Sequence, residues 1–212
     1  MEVQPKIKGW IHLDEKVVHI GARHCYDLNA IDSKTNYVLA HLFVEKRTLL
    51  ACTRFYEQIK RTCYTQILDR YNQERTKPKK KRKLITFVSD KFCLYKTAWK
   101  KVFSRVTVLH FGVPIACKKY GLEHNNNQIE RYNGDIKDRL KTMRGGFGII
   151  EGAEEFLNLK HIIHNFVNPN QKLNGRTPAE AANIQLELGR QKLLTLINHQ
   201  GKKIHHSLRW QC

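Results

Sequence analysis

The sequence predicts an α/β domain in which helices cover a mixed β-sheet. Three segments with the pattern of β-strands come first along the chain. A long helix, a strand, a second helix and a further strand follow, and the remainder is helical. That order of elements is typical of a layered domain with one five-stranded sheet, in which three antiparallel strands come first and two more strands follow.

The first three strands are predicted from alternation and from the turn residues between them. Residues 10–20 alternate between apolar and polar side chains, and one of the polar positions is Asp14. Residues 25–31 and 37–44 are also rich in strand-forming residues, and turn formers fill residues 32–36 between them. We therefore expect a three-stranded antiparallel meander.

The middle of the chain is predicted to alternate between helix and strand. Residues 48–74 place apolar side chains at three- and four-residue steps, which predicts a long helix. A basic segment at residues 76–83 leads to a short apolar run at 84–88, which is too short for a helix and predicts a buried strand. A helix at 91–104 and a strand at 107–111 complete this part.

Three helices are predicted in the last part of the chain, at residues 127–143, 151–167 and 177–198. The first is polar. The second is expected to bury one apolar face, formed by Phe156, Leu159, Ile162, Ile163 and Phe166. The third begins at Thr177-Pro178-Ala179-Glu180, a Thr N-cap followed by Pro and by Glu three residues on.

The composition indicates a globular protein and excludes several classes. The chain has 212 residues, 41% of them hydrophobic, which suffices for one well-packed domain and a tail. We expect the domain at residues 1–182, including a basic loop at 75–83, and a helical tail at 183–212. No apolar run approaches the roughly 20 residues of a membrane span, and the N-terminus has no apolar signal segment.

The cysteines and histidines do not predict a metal site. The six cysteines form no Cys-x-x-Cys pair, so reduced thiols in a cytoplasmic protein are expected, and no secretion. A zinc site formed from scattered cysteines and the 11 histidines has no residue spacing to support it.

The positive charge is concentrated in one third of the chain. Between Arg75 and Arg144 stand 19 Lys or Arg against 5 Asp or Glu, a net charge of +14 out of +19 for the chain. A basic surface of this density is typical of proteins that bind a phosphate backbone, so DNA is the expected partner. The run Lys79, Lys80, Lys81, Arg82 and Lys83 allows three interpretations: a grip on DNA, a nuclear-import signal, or a solvated loop.

Three acidic residues are the candidate catalytic and metal-binding residues. Asp14 and Asp90 lie in or directly after apolar strands, and Glu130 lies on the polar helix. Asp and Glu oxygens are the ligands that Mg²⁺ and Mn²⁺ prefer, and two such ions can drive phosphoryl transfer on DNA. Each residue also has a structural interpretation: Asp14 as an exposed strand residue, Asp90 as a helix N-cap, and Glu130 as a capping-box residue three positions after Asn127.

The motif around Glu130 resembles the signature of DDE transposases. Residues 126–139 read Asn-Asn-Gln-Ile-Glu-Arg-Tyr-Asn-Gly-Asp-Ile-Lys-Asp-Arg, with Lys137 seven residues after Glu130 as in that family. His12-Leu13-Asp14-Glu15 and Val88-Ser89-Asp90 resemble the two aspartate strands of the family, and residues 165–179 resemble its closing motif. The likeness is to the insertion-sequence transposases of bacteria and archaea, within the retroviral integrase-like group.

This resemblance implies an RNase H-like fold with Asp14, Asp90 and Glu130 as ligands of Mg²⁺, for which Mn²⁺ can substitute, with two ions expected. It implies cleavage of a DNA strand by water and then attack of the freed 3′-hydroxyl on target DNA. Lys137 is expected to hold a phosphate near the ions. The further residues expected to bind DNA are Arg131, Lys79, Lys80, Lys81, Arg82 and Lys83.

The family usually carries a helix-turn-helix or zinc-ribbon region before the first aspartate, and Asp14 comes almost at once here. The expectation is a transposase catalytic domain apparently lacking the N-terminal DNA-binding region, forming a homo-oligomer when active and located in the cytoplasm at the nucleoid. Two alternatives stay open: an inactive mobile-element remnant that only binds DNA, and a stand-alone RNase H-like nuclease.

Overall fold

The computed structural model describes residues 4–113, 126–142 and 147–198. Within them five strands form one sheet in the order β3-β2-β1-β4-β5. The strands are β1 (Ile11–Ile20), β2 (Arg23–Asp32), β3 (Val38–Val44), β4 (Thr86–Ser89) and β5 (Val108–Phe111).

The sheet is mixed, as predicted. Strand β2 pairs antiparallel with both β1 and β3, whereas β4 pairs parallel with both β1 and β5. The turn from β2 to β3 places Asn36 in the left-handed region with φ 54°, a conformation that asparagine tolerates better than most residues. The predicted meander is therefore confirmed, and the two later strands extend it on the β1 side.

Within the described residues the sheet is accompanied, besides a helical segment at residues 192–198, by five α-helices. They are α1 (Leu49–Glu74), α2 (Cys93–Val102), α3 (Asn127–Thr142), α4 (Ile150–Ile162) and α5 (Pro178–Ala181). A short 3₁₀ turn occurs at Lys79–Lys81, a π-helical turn continues α4 at Ile163–Val167, and a 3₁₀ turn lies at Gln171–Leu173. Helix α1 begins where the Thr48 side chain accepts a hydrogen bond from the Ala51 amide at 3.1 Å, as an N-cap does.

The two faces of the sheet carry separate hydrophobic cores. Ile11 and Leu13 on β1 pack with buried residues of α1 and α2. Val18 and Ile20 on the same strand pack with buried residues of α3 and α4. Because side chains of a strand alternate between its faces, the odd-numbered residues of β1 point toward α1 and the even-numbered ones toward α3. This alternation places Asp14 on the α3 face and Glu15 on the other.

The predicted buried face of the helix at 151–167 is wrong at Leu159 and Ile162, whereas Phe156 packs partly buried against the core. The buried residues of α4 are Ala153, Leu157 and His161, whereas Leu159 and Ile162 keep 49% and 43% of their surface exposed. Apolar side chains lie on opposite sides of this helix, such as Leu157 and Leu159, so periodicity alone does not identify the face that meets the sheet. Packing against β1 and α3 determines which face of α4 is buried.

The predicted helix at 177–198 is also wrong as a single helix. Its capping box is present, because the Thr177 hydroxyl accepts from the Glu180 amide and the Glu180 carboxylate accepts from the Thr177 amide. However, Asn183 and Gly189 adopt left-handed conformations, with φ 63° and 60°, which end helices. Residues 184–189 are non-helical, and residues 192–198 form a separate helical segment. Residues 199–212 of the predicted tail lie outside the described residues.

Among the described residues, no helix combines the length and the apolar character needed to cross a membrane.

The packing of α4 leads to a prediction about stability. Leu157 has 0% of its surface exposed and Leu159 has 49%, so Leu157→Ala is expected to lower the free energy of unfolding by about 2–5 kcal/mol. The matched variant Leu159→Ala on the same helix is expected to change it by about 0.5 kcal/mol or less. Urea denaturation of both variants measures the difference. Equal losses, or a larger loss for Leu159→Ala, would contradict the orientation of α4.

Candidate active site

The parallel pairing of β1 and β4 brings two acidic residues together. Leu13 lies opposite Ser89 in the register of the two strands, so the next residues, Asp14 and Asp90, are neighbours at the carboxyl end of β4. Together with Glu15 they offer three carboxylate oxygens that all lie within 4.8 Å of one another. Residues far apart in sequence thus form one acidic cluster.

Asp14 is buried, so its interpretation as an exposed strand residue is wrong. Only 9% of its surface is exposed, and its Oδ2 accepts a hydrogen bond from Asn133 Nδ2 at 2.8 Å. The pKa of Asp14 is raised to about 7, first by burial and then by the negative charges of Glu130 and Glu15, against the lowering effect of hydrogen bonds from the Glu15 backbone and the Asn133 side chain. Removing Asp14 from water therefore favours its neutral form unless a cation is bound nearby.

Glu130 lies in the first turn of α3, on the same side of the sheet as Asp14. Helix α3 rests on the sheet through Ile129, Tyr132 and Ile136, which are buried at steps of three and four residues. Glu130 is half-buried and close enough to Asp14 to act on its pKa. It is not one of the three residues whose oxygens lie within 4.8 Å of one another. The acidic cluster therefore contains Asp14 and Asp90 but not Glu130.

Asp90 shapes the turn before α2 and is not the N-cap of this helix. Its Oδ1 accepts a hydrogen bond from the Phe92 amide at 3.0 Å, a contact that closes a turn two residues long. The N-cap position belongs to Phe92, and the helix begins at Cys93. The predicted N-cap role of Asp90 is thus replaced by a turn that holds its carboxylate at the end of β4.

Glu15 belongs to the acidic cluster, although the sequence pattern did not predict it as a site residue. Burial raises its pKa, and so does the charge of Asp90, whereas Arg47 lowers it. The Arg47 guanidinium forms an ion pair with Glu15 and lies over the rings of Tyr26 and Phe92, 4.5 and 4.8 Å from their centroids. The only signal in the sequence is the acidic dipeptide Asp14-Glu15, and alternation alone would place its two side chains on opposite faces.

Two lysines lie close to the acidic cluster. Burial lowers the pKa of Lys16, and the charge of Lys137 lowers it further, whereas Glu130 and Asp14 raise it. Lys137, Glu130 and Asp14 therefore all lie close enough to Lys16 to act on its pKa. This supports the prediction that Lys137 lies near the acidic residues. Arg131 lies elsewhere on α3, lining a groove that also contains Lys172.

The predicted DNA-binding loop lies at the other end of β4 from Asp90. It runs into the start of this strand, whereas Asp90 follows its last residue. Arg82 donates hydrogen bonds to the carbonyl oxygens of Lys77 and Arg75, so its side chain holds the loop together. The side chains of Lys79, Lys80, Lys81 and Lys83 are exposed.

The acidic cluster fits a hard divalent cation. Its donors are carboxylate oxygens, which Mg²⁺ and Mn²⁺ prefer to nitrogen or sulfur. A bound cation would relieve the repulsion that raises the pKa values of Asp14 and Glu15. Asn133, which orients Asp14, is a supporting residue of the kind that metal ligands require.

The fold is similar to that of a chain in a solved viral intasome. A chain of the simian T-cell lymphotropic virus intasome, solved with PP2A regulatory subunit B56 gamma, aligns with a TM-score of 0.53 and 10% identity, over 89% of this chain and 61% of that one. This chain thus spans less than two thirds of that relative's length. The alignment supports the predicted RNase H-like fold.

Two further solved structures align less closely. The HTLV-2 integrase catalytic core domain, solved with magnesium, has a TM-score of 0.48 and 11% identity, over 86% of this chain and 99% of that one. The catalytic domain of Mos1 mariner transposase has a TM-score of 0.46 and 11% identity, over 82% of this chain and 77% of that one.

No curated protein sequence matches the chain significantly. A family model does: that of the DDE domain named DDE_Tnp_IS240, which matches residues 8–169 and so contains Asp14, Asp90 and Glu130. Because this match covers well over half of the 212 residues, the chain belongs to the DDE_Tnp_IS240 family of DDE domains.

Proposed function

We propose that the chain is the catalytic domain of a transposase that cleaves DNA strands and joins them to target DNA with Mg²⁺. The observation that carries this proposal is the meeting of Asp14 and Asp90 across β1 and β4, beneath the helix that bears Glu130. The chain is also a member of a DDE-domain family, whose name refers to two aspartates and a glutamate.

Asp14, Asp90 and Glu130 are the proposed ligands of two Mg²⁺ ions, which Mn²⁺ can replace. When bound, such ions activate a water molecule or a 3′-hydroxyl and stabilise the leaving oxygen of the phosphodiester. Asn133 holds the Asp14 carboxylate in one orientation through its 2.8 Å hydrogen bond. Glu15, fixed by Arg47, adds negative charge to the same cluster and so strengthens its attraction for cations.

The positive charge of the chain provides the DNA contacts in this proposal. Lys16 lies within electrostatic reach of Lys137, Glu130 and Asp14, which supports a role for both lysines in holding the phosphates that flank the reacting one. Arg131 and the exposed lysines of the loop bind the DNA backbone farther from the reaction. A homo-oligomer acting on DNA in the cytoplasm, at the nucleoid, accords with this role.

The first functional prediction concerns strand joining. Glu130→Gln, Asp14→Asn and Asp90→Asn are each expected to lower the rate of joining of a pre-cut oligonucleotide by at least about 100-fold, because each removes a charged ligand of the ions. Electrophoresis of labelled DNA in Mg²⁺ or Mn²⁺ measures the product. DNA binding is expected to persist in all three variants, since carboxylates repel phosphates.

Asp138→Asn is the matched control on α3, because this side chain is 75% exposed and lies away from the cluster. It is expected to join DNA at the wild-type rate. Undiminished joining by Glu130→Gln would refute the assignment of this residue. A wild-type chain that binds DNA and joins none with either metal ion would instead support a role in DNA binding alone.

The second functional prediction concerns pH and metal ions. The pKa of Asp14 is raised from 3.8 to about 7 in the folded protein, so between these values the folded state keeps a proton that the unfolded state has lost. Without divalent cations, this residue makes the free energy of unfolding fall by up to about 1.4 kcal/mol per pH unit across that window. Asp14→Asn removes this contribution, so its stability relative to wild type should increase toward pH 7 and level off above it.

Thermal denaturation at pH values from 5 to 8, with EDTA or with Mg²⁺, measures this effect. Mg²⁺ is expected to raise the Tm of the wild type at pH 8 and to raise that of Asp14→Asn much less. Glu154→Gln, which alters an exposed acid on α4, should follow the wild type throughout. Parallel pH profiles for Asp14→Asn and wild type would show that Asp14 titrates normally.

A further inference from the structure

A second cluster of potential metal ligands lies on the α3 face of the sheet, apart from the acidic cluster. Its members are Asp27 on β2, His41 on β3 and His161 on α4, and one ligand atom of each lies within 4.8 Å of the others. Asp27 and His161 are buried, and His41 keeps 20% of its side chain exposed. The proposed transposase reaction uses none of the three.

The spacing of the ligand atoms suits a metal ion. His41 Nδ1 lies 3.4 Å from Asp27 Oδ1, and His161 Nε2 lies 3.2 Å from Asp27 Oδ2. These contacts are long for N–H···O hydrogen bonds, which are commonest at about 2.9–3.0 Å, whereas two ligands bound tetrahedrally to zinc at about 2.1 Å lie roughly 3.4 Å apart. The two imidazole rings are stacked with centroids 3.7 Å apart, and each contacts a different oxygen of the Asp27 carboxylate.

The charge of the cluster also favours a cation. Burial raises the pKa of Asp27, but the hydrogen bonds of His161 and His41 outweigh it and lower the pKa to about 2, so the carboxylate is ionised. Burial lowers the pKa of His161, which favours its neutral imidazole. An ionised carboxylate and a neutral imidazole are the forms in which these residue types bind metal ions.

Supporting residues surround the three ligands. Tyr132 on α3 shares a hydrogen bond with His161 Nδ1, which leaves Nε2 as the nitrogen that faces Asp27. Asn29 Nδ2 donates to Asp27 Oδ2 at 3.0 Å. Ligands of metal ions are usually held by such contacts on their outer side. The partial exposure of His41 provides a route for an ion from solvent.

We propose that Asp27, His41 and His161 bind a zinc ion that fastens α4 to strands β2 and β3. Two imidazoles and one carboxylate suit zinc, whereas Mg²⁺ prefers oxygen ligands alone. This site is therefore chemically distinct from the cluster of Asp14 and Asp90. The two are connected through Asn29, which donates to Asn133 Oδ1 at 3.4 Å, and through Asn133, which donates to Asp14. An ion at the second site would thus also steady the amide that orients Asp14.

The test is zinc binding by the full chain after metal ions are removed with a chelator and dialysed away. Zn²⁺ is titrated against a chromophoric chelator in millimolar Mg²⁺, which occupies the carboxylate cluster, and Co²⁺ is added separately to record its visible absorption. One tight equivalent of Zn²⁺, a Co²⁺ spectrum of nitrogen and oxygen ligation, and a rise in Tm are expected. His41→Gln and His161→Gln should lose all three effects.

Three further variants separate this site from others. Asp14→Asn should keep the tight equivalent. So should His24→Gln, which removes an exposed histidine beside His19 at the turn between β1 and β2. Tyr132→Phe should weaken Zn²⁺ binding about 10- to 100-fold, because it removes the partner of His161.

Two results would overturn the proposal. One is the absence of a tight equivalent in the wild type, which would leave a hydrogen-bonded triad and no metal site. The other is unchanged zinc binding in His41→Gln, which would place the ion elsewhere. His41→Gln is decisive even if His161→Gln does not fold, because His41 is partly exposed and its replacement leaves the buried core intact.

Discussion

The parallel pairing of β4 with β1 is the contact on which the candidate active site depends. Strand β4 has only four residues, all buried, and its register with β1 makes Asp14 and Asp90 neighbours. The strand is held from one side by the core that α1 and α2 form with Phe87, whose ring meets those of Tyr56 and Phe103. Helix α1, which carries none of the candidate catalytic residues, therefore helps to position Asp14 and Asp90.

The same pairing makes the acidic cluster costly in the absence of a cation. Asp14 is buried beside Glu15 and Asp90 with Glu130 nearby, and burial together with repulsion between the carboxylates raises the pKa values of Asp14 and Glu15. The fold opposes this cost with Asn133 and Arg47, which contact Asp14 and Glu15. The acidic cluster thus lowers the free energy of unfolding at a place where a bound divalent cation would raise it again. Such local destabilisation is common at metal-dependent sites.

The element order and most element boundaries were predictable from the sequence, because they depend on local patterns. The alternation of β1, the apolar steps of α1 and the capping box at Thr177 each act over a few residues. The errors arose where the pattern was ambiguous. Helix α4 has apolar side chains on opposite sides, so its periodicity does not identify the buried face, and Asn183 adopts a left-handed conformation that its residue type permits but does not require.

By itself the sequence determined that the chain forms a mixed sheet with helices and carries a large positive charge. It also determined that Asp14 lies in a strand, Asp90 directly after another strand, and Glu130 on a helix. Only the tertiary structure decided which groups surround them. Asn133 lies 119 residues from Asp14, and His161 lies 134 residues from Asp27. Such contacts result from strand register and helix packing, which bring distant residues together and leave no periodic signal along the chain.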